Sequence, residues 1–210
     1  MSNRAQRRNL ISHERPQTGS AGSAAAFGYT NHLQHMRMRI SLMLPLLFTV
    51  GVLADSVAGL RWTAPADWKN EGARPMRAAT YIVAPAAGDQ ASGECVVYFF
   101  GEGQGGTVEA NIDRWKGQFH TTDGKPAAAQ VAKRTSRGLT ITTIDASGEY
   151  SGMGGPTSGG RSTVSGYRLL GAIVEGPRGN VFVKFTGPAK TIAANQKKFE
   201  QLVGSFEREQ

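Results

Sequence analysis

The sequence predicts an α+β domain: a mainly antiparallel sheet of about six to seven strands flanked by two helices, arranged as an α/β/α sandwich. Three observations lead there. Strand-like runs follow one another with turns rather than helices between them, which favours antiparallel pairing. Two of these runs, Cys95–Phe100 and Leu169–Val174, are apolar throughout, so each belongs at the centre of the sheet with a layer on either face. Only two segments carry a helical period, one from Thr107 and one from about Thr191, and these supply the layers.

Taken in order, "LRWT" (60–63) is a short strand stopped by Pro65, and Trp68 in the following turn folds back onto the core. "MRAATYIVA" (76–84) is the second strand and "ECVVYFF" (94–100) the third. From Thr107 the period changes: Val108, Ile112, Trp115 and Phe119 share one face of a helix. Thr107 stands as its N-cap, and Glu109 complements the dipole in its first turn. "AQVAKRT", "GLTITTIDASGEY", "GYRLLGAIVE" and "NVFVKFT" then read as four strands joined by turns. The glycine-rich stretch Ser151–Ser165 reads as a mobile loop between paired strands. In the closing helix Ile192, Phe199, Leu202, Val203 and Phe206 share a face.

Gly101, Gly103 and Gly106 spell G-x-G-x-x-G between a strand and a helix, the pattern of a dinucleotide-binding loop. The surroundings argue against that use. A Rossmann site needs repeated βαβ units and an acidic residue at a strand tip about 20 positions on. Here the helix leads into hairpins, Asp123 falls in a turn, and Glu102 puts a negative charge where a pyrophosphate would lie. No lysine precedes Thr107, as a P-loop would require. The loop therefore reads as a glycine turn leading into a helix, with no cofactor expected. The amides of Gly105 and Gly106 remain able to meet an anion. Asn111, Arg114 and Gln118 form a polar stripe beside the apolar face, able either to line a ligand groove or to lock the helix onto neighbouring carbonyls.

The motifs "WTAPADW", "MRAATY", "GGTVEANIDRWKGQF", "IDASGEY", "GYRLLGAIVE" and "FVKFTGPAKT" resemble those of a family of uncharacterised exported bacterial proteins. The short opening strand with "P-x-x-W" and the closing helix also resemble the PsbP-like α/β/α sandwich, over about residues 60–208. What this resemblance implies is an extrinsic assembly, adaptor or small-ligand module, mostly without enzymatic activity; it transfers no catalytic residue.

The front of the chain differs from the rest. Residues 1–35 are polar, small and arginine-rich. They read as a disordered leader, or as sequence ahead of a true start at Met36 or Met38. Residues 36–58 read as a signal peptide: Arg37 and Arg39 precede an apolar run, Ile40–Leu53. Ser56 and Ala58 offer small residues for cleavage near Gly59. At about 14 residues the run is shorter than the ~20 a membrane-spanning helix needs. Residues 59–210 are then a single α+β domain, exported across the cytoplasmic membrane to the periplasm or beyond. Its only membrane contact would be an uncleaved signal segment.

Setting the leader aside leaves 18 basic against 14 acidic residues, a net charge of +4 where the whole chain has +8. Without a basic stripe interleaved with aromatics, nucleic acid is not an expected partner. Cys95 is the single cysteine and His120 the only histidine outside the leader, so neither a disulfide nor a transition-metal site is expected. No G-x-S-x-G elbow accompanies His120. The resulting expectation is a non-catalytic binding or adaptor domain for a protein or small ligand. Asn111, Arg114, Gln118, Gly105 and Gly106 are its candidate contacts. The alternative is a hydrolase or transferase with a site near Arg114 and His120.

Overall fold

A computed structural model describes residues 54–153 and 161–210. The leader, the apolar run to residue 53 and residues 154–160 lie outside the described residues. Strands β1 (Asp55–Val57), β2 (Leu60–Trp62), β3 (Lys69–Asn70), β4 (Arg77–Val83) and β5 (Gly93–Tyr98) precede helix α1 (Val108–Lys116). Then follow β6 (Phe119–His120), β7 (Ala129–Ser136), β8 (Leu139–Met153), β9 (Arg161–Gly176) and β10 (Gly179–Pro188). Helices α2 (Ala189–Ala194) and α3 (Gln196–Ser205) and strand β11 (Glu207–Arg208) close the chain.

The main sheet is antiparallel at every pairing, in the order β3-β4-β5-β10-β9-β8-β6, with β7 also on β8. The expected α+β class and the central places of β5 and β9 hold. Both faces of these strands are covered. On one side Trp62, Trp68, Tyr81, Cys95, Val97, Phe185 and the apolar faces of α2 and α3 form one core. On the other, Ile112 and Trp115 of α1 pack with Phe119, Ile144, Leu169, Ile173 and Phe182. Thr107 caps α1, its Oγ1 accepting from the Ala110 amide at 3.2 Å.

Several boundaries differ from the sequence reading, each for a local reason. Helix α1 stops at Lys116, with Gly117 as its C-cap and the Gln118 amide turning back to the Trp115 carbonyl at 3.2 Å in place of the next helical bond. Phe119, expected on the helix face, instead pairs as a strand with Tyr150 and is fully buried. The closing helix is two helices, broken at Asn195, which makes three among the described residues. Asn195 Nδ2 donates to the Thr191 carbonyl at 2.9 Å, and its Oδ1 accepts from the Trp68 indole at 3.3 Å. The ends of the expected 151–165 loop are strand: β8 and β9 stay paired, through a register shift between Gly148 and Tyr150, out to Met153 opposite Arg161.

The short strand Leu60–Trp62 belongs to a separate three-stranded sheet, β1-β2-β11, that lies on the first core. Trp62 stacks on Phe206 with centroids 5.1 Å apart, and its Nε1 donates to the Tyr81 hydroxyl at 2.8 Å. That hydroxyl donates in turn to the Asp55 carboxylate. Across the main sheet, Arg168 holds Asp145 through two bonds of 2.8 and 2.6 Å and also reaches Gln196, which fastens α3 to β8 and β9.

Gly171 on β9 is required by a close approach. A Cβ there would come within 2.6 Å of the Trp115 ring and 2.7 Å of Ile144, both buried. Gly171→Val is expected to lower stability by about 1–3 kcal/mol through overpacking. Chemical denaturation checks this, and an unchanged midpoint would show that α1 does not rest on this strand.

Candidate functional site

Alternation along β10 sends Val181, Val183 and Phe185 to the core under α2 and α3, and Phe182, Lys184 and Thr186 to the face that α1 covers. A lysine thus stands on a central strand. The register places it in a row with Thr80, Val96, Gly171 and Ile144, running across β4, β5, β10, β9 and β8. The core under α1 includes no residue of β4, so the β4–β5 end of this face is left to long side chains. Arg77 spans it, its guanidinium 5.7 Å from the Tyr98 ring centre and its Nη1 donating to Glu94 at 2.9 Å. The Thr80 hydroxyl, buried in the same row, has no hydrogen-bond partner.

Lys184 Nζ donates to Gln118 Oε1 at 2.8 Å and to the Tyr150 hydroxyl at 3.0 Å, both neutral groups. Among the described residues, neither Lys184 nor Arg114 forms an ion pair. Burial, and after it the nearby Arg114 guanidinium, push the Lys184 ammonium down to about 8, with Glu94 opposing. The phenols beside it move the other way. Tyr150 is pushed up to about 12, by burial first and then by Tyr98, Glu94 and Tyr167, and burial also raises Tyr98. Tyr150 and Tyr167 stack at 5.8 Å, so an aromatic wall stands beside the cation.

The residues singled out from the sequence divide into two groups here. Asn111 is buried and its amide is spent on the chain: Nδ2 donates to the carbonyls of Gly105 and Thr107, each at 2.8 Å. Gly105 takes a left-handed φ of 89°, and a Cβ on it would lie 2.8 Å from Phe182 and 2.9 Å from Phe100. Gly106 also has a left-handed φ, 80°. These three residues fix the loop against the second core. Arg114 is exposed and, among the described residues, bonds only to the Asn111 side-chain oxygen, and Gln118 turns to Lys184. The structure thus brings Arg114 and Gln118 to one place, with Lys184 and Tyr150 joining them from strands distant in the chain.

Lys184 went unnoticed in the sequence, although a signal was present. "NVFVKFT" is apolar on one face, and its other face carries Phe182 beside Lys184, an aromatic on the side that alternation would otherwise give to solvent. Tyr150 carried no comparable mark.

His120 is elsewhere. It pairs with Glu149 and, with Thr121, Thr122, Gly124, Ser151 and Thr163, lines an open depression of about 540 Å³ that Arg114 does not border. Ser151 Oγ lies 3.2 Å from Thr163 Oγ1, and Glu149 accepts from Ser165 at 2.9 Å. Among the described residues, no side-chain bond joins the imidazole to Ser151 or Glu149. A second depression, of about 420 Å³, lies between β7, β8 and α3 and holds neither Arg114 nor Lys184. Cys95 is fully buried and its thiol is raised far above the ordinary range by burial, which leaves it unreactive.

No family model matches the chain, and no curated protein does. Among solved structures the chain is similar to cyanobacterial PsbP (CyanoP) from Synechocystis sp. PCC 6803, at 11% identity over 75% of this chain and 91% of that one, with a TM-score of 0.44. It is also similar to a protein of unknown function from Pseudomonas aeruginosa, at 10% identity over 73% of this chain and 94% of that one, with a TM-score of 0.39.

A lysine held at a depressed value destabilises the folded state at neutral pH. Its folded value lies near 8 against 10.5 ordinarily, so the unfolded chain binds more protons between those limits and stability rises with pH across them. Lys184→Met is therefore expected to be more stable than the native chain at pH 7, by about 1–2 kcal/mol after allowance for partial exposure. The gain should shrink as pH approaches 10.5. Denaturant titrations of both proteins at pH 7 and pH 10 measure it; destabilisation at both would mean that the ammonium is structural.

Proposed function

We propose that the chain is an exported, non-catalytic binding domain, and that its α1 face holds the carboxylate or phosphate of a small ligand between Lys184 and Arg114. The observation that carries this reading is the pair of neighbouring cations that, among the described residues, have no carboxylate on either, one of them drawn into a central strand and held by neutral partners. Like charges side by side on a partly buried surface oppose folding, and an anion between them would relieve both the repulsion and the lost hydration. Gln118 and Tyr150 orient the ammonium. The Tyr150–Tyr167 stack offers an aromatic wall to the rest of the ligand. Asn111, Gly105 and Gly106 act one step back, by keeping α1 in place. What supports export is the basic pair and apolar run of residues 36–53, read as a secretion signal.

Calorimetric titration with inorganic phosphate and with citrate as probes tests the reading. Binding is expected at pH 7 and should weaken as pH passes about 8, where Lys184 loses its proton. The surrounding groups are Arg77, Glu94, Tyr98, Arg114, Tyr150 and Tyr167. The raised values of Tyr98 and Tyr150 keep those two phenols neutral across this window. Lys184→Met should lower affinity about tenfold or more, the equivalent of about 1.4 kcal/mol, while His120→Ala should leave it unchanged. Failure of both probes to bind, or affinity indifferent to Lys184→Met, would overturn the site.

A further inference from the structure

The leader contains two places where small residues could present a cleavage site. In one, Val52 and Ala54 stand third-last and last in the leader; in the other, Ser56 and Ala58 do. The folded domain distinguishes them. Asp55, Ser56 and Val57 form β1, in register with Trp62, Arg61 and Leu60. Ala58 and Gly59 join β1 to β2 as a two-residue hairpin turn, with φ of 56° and 75°, both positive as such a turn requires. Ala58 is 5% exposed, and the Gly59 carbonyl accepts the Glu209 amide at 3.0 Å. The Asp55 carboxylate accepts the Tyr81 hydroxyl, which in turn accepts the Trp62 indole. Residues 55–58 are thus part of the domain. Ala54, immediately before them, is exposed.

We propose that the leader is removed by hydrolysis of the peptide bond between Ala54 and Asp55, so that the exported protein begins at Asp55. A cut before Gly59 would remove one strand of the β1-β2-β11 sheet and the carboxylate that accepts the Tyr81 hydroxyl's hydrogen bond. A cut after Ala54 keeps every one of these contacts and lies directly after the apolar run. The proposal rests on the reading of residues 36–53 as an export signal. It replaces the expected cut near Gly59.

The test is expression of the full chain in a bacterium with a general secretion pathway, followed by intact-mass measurement and N-terminal sequencing of the exported protein. The expected first residue is Asp55. Ala54→Gln should cause unprocessed precursor to accumulate, whereas Ser56→Gln, at an exposed strand position, should leave the cut where it is. An exported protein beginning at Gly59, an exported chain that keeps its leader, or a block caused by Ser56→Gln overturns the assignment. A full-length chain confined to the cytoplasm counts instead against the export reading on which it rests.

Discussion

Strands β5 and β10 come from opposite halves of the domain, and their pairing, Cys95 with Phe185 through Tyr98 with Phe182, closes the sheet. Everything between them in the chain, α1 and β6 to β9, is enclosed by that contact. Loop closure over such a span is unfavourable until apolar surface is buried on both sides at once. The alternation of the two strands meets that condition. Cys95, Val97, Val183 and Phe185 enter one core, and Phe182 enters the other with Tyr98 packed against it. The helices, the small terminal sheet and the candidate site take their positions from this pair.

The same pairing explains why a lysine sits where it does. With Val183 and Phe185 committed to one core, the residue between them must face the other way. There Gly171 leaves room for Trp115 on one side, and Val96 is the neighbour on the other. An aliphatic side chain at that position would satisfy packing better than an ammonium. A domain that retains a charge at the centre of its sheet, beside a second cation, conflicts locally with its own fold, and such conflicts gather at sites of function.

Much of the architecture was legible because it rests on period. The double-faced apolar runs at Cys95–Phe100 and Leu169–Val174 announced central strands, and Thr107 with Val108, Ile112 and Trp115 announced a capped helix. What could not be read depends on contacts between distant segments. Phe119 fits a helical face by spacing, yet the helix ends at Lys116 and Tyr150 offers Phe119 a strand partner. Asn195 is an unremarkable polar residue in sequence, and its break matters only because Trp68 and Thr191 receive it. The site followed the same division. Arg114 and Gln118 share a local stripe and were visible; Lys184 and Tyr150 reach them only through the sheet.

The small sheet β1-β2-β11 gathers Asp55 and Arg208, the two ends of the domain, onto the core under α2 and α3, whereas Lys184 belongs to the opposite face. The domain is therefore held from behind. Asp55 and Arg208 lie across the main sheet from Lys184 and Arg114. Under the binding reading proposed above, the sheet itself stands between the ends of the domain and the cationic pair.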